Sequence, residues 1–197
     1  VVWTTTPWTL PANVSAAVKP DAEYGLRDGL WRLAEEKGEY DQVARGEELV
    51  GLEYEGPYDA MPAAVQEHRI IPWDDVSLTE GTGIVHIAPG AGTEDFELGR
   101  LHGLPVIVPI DESGRMLPGF GLLEGLSTDE VEDVVIEDLR ERELLVESGR
   151  ITHRYPICWR CKTPLLFRVV DDWFISCQEV RQELLDAHAT VEWTPSF

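Results

Sequence analysis

The sequence predicts an α+β fold, with a mostly antiparallel, barrel-like β core and flanking helices. Two observations lead there. Short runs of β-branched and aromatic residues outnumber the stretches with a helical period, and the two kinds do not alternate as parallel βαβ units would. A third sets the scale: 197 residues with 43% hydrophobic content suit one large domain able to fill a core.

The elements follow in chain order. "VVWTTTPWTLP", residues 1–11, opens on a β-like apolar run, and Pro7 and Pro11 forbid its continuation as a central strand. The hydroxyls of Thr4, Thr5, Thr6 and Thr9 therefore fall where a strand ends. They suit a water-facing strand end and equally the grip on a polar ligand. Residues 22–55 alternate short apolar segments with charged turns, which reads as strands with one short helix within residues 41–49. "HRIIPWDDV", "GIVHIAP" and "PVIVPI" read as strands, the last running into a hairpin-like turn at residues 111–114. Gly81 and Gly83 open the strand that contains His86, "PGAG" makes a loop, and Thr93 is the expected N-cap of a helix with Glu94 and Asp95 in its first turn. The clearest helix covers residues 128–142: Ser127 and Glu130 form a capping box, and Val131, Val134, Val135 and Leu139 share one face. "LLFRVVDDWFI" reads as a further strand, and a last helix follows over residues 178–187.

Charge narrows the function classes. Sixteen Lys and Arg stand against 37 Asp and Glu, a formal net charge of −21, the opposite of the basic footprint of general nucleic-acid binding. A nucleic acid would have to be held mainly elsewhere, or touched at one end. The acid excess also suits a salt-adapted or high-GC source. No apolar run approaches the roughly 18 residues of a membrane span, so no membrane association is expected. A chain that opens mid-strand without Met reads as a domain, residues 1–197, excised from something longer. Of three cysteines, two form Cys158-x-x-Cys161 and Cys177 stands alone, which argues against a disulfide scaffold and for a reducing cytoplasm.

The stretch "EGTGIVHIAPGAGTEDFELGR", residues 80–100, admits two readings. Glu94 and Asp95 complement the helix macrodipole. Alternatively, the Gly-rich loop lets a ligand approach while His86 and a helix-start carboxylate converge on it. A phosphate loop is excluded: there is no Gly-Lys-Ser/Thr, and acids at the helix start repel anions. A carboxylate there suits a cation such as a substrate ammonium.

"WTTTPWTLPAN", then "GTGIVHIAPGAGTEDF", "HRYPICWRCKTPL" and "WFIS", in that order along essentially the whole chain, resemble the inserted editing (CP1) domain of the isoleucyl-tRNA synthetases, class I aminoacyl-tRNA synthetases. Valyl and leucyl relatives carry a Thr-Thr-Arg-Pro core where this chain has Thr6, which favours the isoleucyl member. The resemblance implies hydrolysis of valine mischarged onto isoleucine tRNA, by positioned water without a covalent intermediate. Its partners would be the 3′ end of the aminoacylated tRNA and the remainder of the parent synthetase. It assigns Asp95 to the substrate ammonium and His86 to the wall that limits side-chain size. Thr4, Thr5, Thr6 and Thr9 go to the terminal adenosine, ester and water, with Thr5, Thr6 and Asp95 in the catalytic role, and Trp3 and Trp8 shape the pocket. No Ser-His-Asp or Cys-His pair is visible in the sequence, which argues against an acyl-enzyme.

Cys158 and Cys161, in a knuckle spanning residues 153–165, have the spacing of a zinc ribbon but make only half a site. His153 or Cys177 would have to move close to complete it. The resemblance implies that the other pair lies upstream in the parent enzyme, so no cofactor is expected in this chain and zinc is expected only in the parent. The competing reading is a non-enzymatic, zinc-ribbon-like module that binds RNA or a neighbouring domain; a third is the editing domain of a sister synthetase. His68, His102 and His188 read as surface or packing residues.

Overall fold

The computed structural model describes residues 1–64, 67–152 and 154–194. Among these described residues, seven strands and four α-helices follow in order: β1 (Ser15–Val18), β2 (Glu23–Arg27), β3 (Leu30–Leu33), β4 (Gln42–Arg45), α1 (Gly46–Leu49), β5 (Glu53–Tyr54), β6 (His68–Pro72), β7 (Ile84–Ile87), α2 (Thr93–His102), α3 (Thr128–Glu141) and α4 (Arg181–Ala189). A 3-10 turn over Pro7–Ala12 precedes them.

The strands form two sheets. One has the order β5-β6-β1-β7, with β1 parallel to β6 and antiparallel to β7. The other is an antiparallel trio in the order β3-β2-β4. The architecture is thus α+β and mostly antiparallel, as expected, but it is not a barrel. Strands of two to five residues leave β5 and β7 as separate edges of an open sheet. Tyr24, fully buried on β2, links the sheets: its hydroxyl donates to the Gly83 carbonyl at 2.8 Å and accepts from the Lys19 amide at 2.9 Å.

Several elements depart from the sequence reading. Residues 1–3 are not a strand; Trp3 makes a single parallel bridge to Val85 and is 40% exposed. The four residues of β1 are all buried, so they lack the alternation that marks a one-sided strand. "PVIVPI" forms no strand beyond a bridge between Ile110 and Met116, since Pro105 and Pro109 bring no amide protons to a ladder. "LLFRVVDDWFI" is likewise outside any ladder, and the last helix starts at Arg181 rather than residue 178. α3 matches its expected span, capping box included.

The largest apolar cluster joins Trp8 and Leu10 of the 3-10 turn to Val131, Val135 and Leu139 of α3, with Ile110 and Phe120 between them. From residue 146 onward no described residue is buried. No helix among the described residues is long and apolar enough to cross a membrane.

Candidate functional site

The site begins with the turn that replaces the expected strand. Pro7 at the first position pre-sets φ for a 3-10 turn, and the Thr6 carbonyl accepts both the Thr9 amide at 3.0 Å and the Thr9 hydroxyl at 2.8 Å. Just upstream, the Thr4 hydroxyl accepts the Thr6 amide at 3.0 Å. The threonines therefore sit on a tight loop, with Thr5 exposed and Thr9 buried.

The opposite wall comes from β7 and α2. Gly92, not Thr93, is the N-cap of α2, so Asp95 falls in the first turn and faces back toward the strand. Its Oδ2 accepts the Ala88 amide at 2.8 Å, just past the end of β7. Burial raises the Asp95 carboxyl above its ordinary range, against the lowering effect of that amide, and neighbouring Glu94 adds to the rise. Glu94 itself is exposed. The Gly-rich loop owes its glycines to packing: a Cβ on Gly90 would collide with the Ile107 carbonyl, and one on Gly92 would press on the Asp95 carboxyl.

A cavity of about 290 Å³ lies between these walls, lined by Trp3, Thr4, Thr5, Thr6, Thr9, His86 and Asp95 together with Ser77, Glu80, Val85, Ala91 and Gly92. Blocks some 80 residues apart in sequence thus meet around one pocket. Trp8 is the exception among the candidates: it is 5% exposed, packed in the α3 cluster, and does not line the cavity.

His86 is buried and both its ring nitrogens are engaged, Nε2 to Thr9 Oγ1 at 2.8 Å and Nδ1 to Asn13 Nδ2 at 3.0 Å. The Ser15 carbonyl fixes the polarity. It can only accept, and it lies 2.8 Å from the same Asn13 nitrogen, which is therefore the amide NH2. That NH2 donates to His86 Nδ1, so the ring proton is on Nε2 and is donated to Thr9, whose own hydroxyl proton goes to the Thr6 carbonyl. Hydroxyl and imidazole are thus paired with the polarity opposite to a nucleophile and its base. Burial also holds the imidazole neutral, lowering its pKa from 6.5 to about 4.

Behind this chain, the Tyr54 hydroxyl donates to Asn13 Oδ1 at 2.6 Å. The Tyr54 ring stacks on His68 with centroids 4.9 Å apart, and His68 Nε2 donates to Asp59 Oδ1 at 2.7 Å. Sequence reasoning missed Asn13 and Tyr54, because their roles depend on partners 73 and 41 residues away. His68, read as surface or packing, is buried.

The cysteine knuckle is a separate feature. The Cys158 amide donates to the Thr163 carbonyl at 2.9 Å, and the Lys162 amide, at positive φ, returns to the Cys158 carbonyl at 2.9 Å. Hydrogen bonds with Thr163, and then with Cys158, pull the exposed Cys161 thiol down to about 7. The two cysteines on one tight turn, with the Cys161 thiol inclined to ionise, fit half of a tetrahedral zinc site. Among the described residues no cluster of three or more His, Cys, Asp or Glu is placed to hold a metal, and Cys177 is exposed with its thiol near the Ile175 carbonyl. His153, the other expected ligand, lies outside the described residues.

No family model matches the chain. It is 43% identical over 210 residues to the isoleucine–tRNA ligase of Methanothermobacter marburgensis, covering 100% of this chain and 20% of that protein. It is 40% identical over 224 residues to that of Pyrococcus furiosus, and 42% over 215 residues to that of Thermotoga neapolitana, again over 100% of this chain and over 21% and 23% of those proteins. The chain therefore spans about a fifth of the length of the curated relatives it matches. Its fold is similar to the crystal structure of GlLeuRS-CP1, with a TM-score of 0.57 at 16% identity over 76% of this chain and 84% of that one.

Proposed function

Because the chain belongs to the isoleucyl-tRNA synthetase family, as one segment of it, we propose that it is the editing domain and hydrolyses the ester of valine mischarged onto isoleucine tRNA. The observation that carries this is the single pocket into which the threonine loop, His86 and Asp95 converge. The need is physical: one missing methylene is worth only about 1–3 kcal/mol of discrimination, and this synthetase is the standard example of a second sieve.

An aminoacyl ester is already electrophilic, since its α-ammonium withdraws electrons from the carbonyl. Orientation and hydrogen bonding of water and ester are then enough, without a strong nucleophile. Asp95 suits the ammonium, because one carboxylate oxygen is tied to Ala88 while the group as a whole lines the pocket. Thr4, Thr5 and Thr6 line the pocket with hydroxyls able to turn to ester or water, at the expense only of long contacts between Thr4 and Thr6 (3.4 Å) and between Thr6 and Thr9 (3.5 Å). Thr9 cannot turn, its proton being committed to the Thr6 carbonyl. With its proton on Nε2, His86 cannot draw a proton from Thr9, which favours direct attack by water over an acyl-enzyme. Its ring forms part of the wall and sets a limit on side-chain size. The tRNA 3′ end and the remainder of the synthetase are the partners this reading requires.

The test is deacylation of valyl-tRNA(Ile) by the chain and by two variants. Loss of a desolvated carboxylate–ammonium pair costs about 2–5 kcal/mol, so Asp95→Ala is expected to abolish most turnover while Glu94→Ala, on the exposed side of the same helical turn, stays near wild type. Wild-type turnover by a folded Asp95→Ala variant would refute the assignment of Asp95. Absence of turnover in the parent chain would refute the function.

A further inference from the structure

We infer that Tyr54 is a positioning residue of the pocket: its hydroxyl, through Asn13, holds His86 as the Nε2–H tautomer and thereby fixes the threonine loop. The inference rests on the reading of the pocket as an editing site, but it is carried by geometry outside that pocket. Tyr54 does not line the cavity.

The chain of donors runs in one direction. Tyr54 O–H donates to Asn13 Oδ1 at 2.6 Å, Asn13 N–H to His86 Nδ1 at 3.0 Å, His86 Nε2–H to Thr9 Oγ1 at 2.8 Å, and Thr9 O–H to the Thr6 carbonyl at 2.8 Å. Each intermediate group donates at one end and accepts at the other, and the polarity is set by two carbonyls that only accept, Ser15, which takes an Asn13 N–H at 2.8 Å, and Thr6, with Tyr54 completing the chain as donor to the amide oxygen. At the inner end is a backbone carbonyl, which only accepts. At the outer end is Tyr54, whose phenol is kept protonated because burial raises its pKa, with nearby Asp59 adding to the rise and the Asn13 hydrogen bond only partly opposing it.

Tyr54 is itself held. The antiparallel register of β5 on β6 pairs Tyr54 with His68, their rings stack at 28°, and His68 is fixed by Asp59, which also accepts the Gly56 amide at 2.8 Å. The outer strand β5 therefore acts on a pocket wall at the far edge of the sheet, β7, across the two strands β6 and β1. Without the phenol hydroxyl, Asn13 Oδ1 is a buried acceptor with no donor and only the Ser15 carbonyl still orients the amide, so displacement of the amide toward a new donor loosens its hold on His86 Nδ1.

Tyr54→Phe tests this, because it keeps the ring on His68 and removes only the donor. Nitrogen-15 NMR of histidine-labelled protein reads the tautomer directly, with or without activity. The wild-type chain is expected to show His86 protonated at Nε2. Tyr54→Phe is expected to move the His86 nitrogen signals toward mixed tautomers and to lower kcat for valyl-tRNA(Ile) by about 10- to 100-fold with KM nearly unchanged. A wild-type ring protonated at Nδ1 overturns the inference whether or not the variant folds. So does a folded Tyr54→Phe whose His86 signals stay at wild-type positions while only the melting temperature falls, the pattern of a purely structural tyrosine. A wild-type chain with the expected tautomer but no deacylation would refute the proposed function and leave the relay to the NMR result.

Discussion

At the scale of single residues, His86 makes the molecule sensitive to acid. Its pKa is about 4 in the folded chain and near 6.5 once exposed, so the unfolded state takes up a proton first as pH falls. The stability due to its neutral burial is complete above about pH 6.5 and is lost progressively down to about pH 4, a cost on the order of 3 kcal/mol. Denaturant melts of wild type and His86→Gln between pH 7 and 4 are the check. The wild type is expected to lose stability across that window and the variant to lose about 3 kcal/mol less. Asp95 acts in the opposite sense, its raised pKa favouring the folded state as pH falls, and it is common to both proteins. Most of the pocket lining was legible in the sequence, since Thr4, Thr5, Thr6, Thr9, His86 and Asp95 stand in the threonine-rich and Gly-rich stretches and all line the cavity. Trp8 could not be placed, because a tryptophan in a turn gives no sign of which side of the backbone it takes. Nor could the donors behind His86, since a hydrogen bond between residues 54 and 13 leaves no mark on local pattern.

Among the elements, α3 is the one whose sequence and structure agree in detail. Ser127 accepts from the Glu130 amide, Glu130 returns to the Ser127 amide at 2.8 Å, and the buried Val131, Val135 and Leu139 press on Trp8 and Leu10 of the 3-10 turn. Ser127→Ala is expected to cost about 1 kcal/mol, a fall of about 2–4 °C in melting temperature for a domain of this size, measured by calorimetry. Because neither Ser127 nor Glu130 lines the pocket, KM for the proposed reaction should hold at temperatures where the variant is folded. Legibility here followed burial. β6 and β7 could be read from their β-branched runs, whereas β1, made of Ser15, Ala16, Ala17 and Val18, is buried on both faces and has neither alternation nor bulk. "PVIVPI" and "LLFRVVDDWFI" had the opposite fault: they are apolar enough for strands, yet no neighbouring strand pairs with either.

For the whole molecule, stability is concentrated before residue 146. The later part buries no described side chain, α4 included, and exposes Trp173 at 99%, Ile175 at 89% and Phe174 at 86%. A chain ending at residue 148 is therefore expected to keep its melting temperature within a few degrees and to self-associate less, as calorimetry and light scattering would read, because an exposed apolar run drives association. In what stays behind, the inner strand of the four-stranded sheet is joined only at long range. β1 has no sheet partner nearer than β6, whose Arg69 pairs with Ser15, and its other edge waits for Ile87; the segment between carries the entire second sheet. During refolding, loops of more than 50 residues must close before the central strand gains a ladder, and loop closure is paid in entropy before any contact returns it. The β2, β3 and β4 trio, with near-neighbour pairings, is free to form first. Thr9 and His86, 77 residues apart, are brought together by the pairing of β7 with β1. The pocket is thus expected to form late, and the onset of the proposed hydrolysis in a refolding time course should lag the recovery of the β2, β3 and β4 trio.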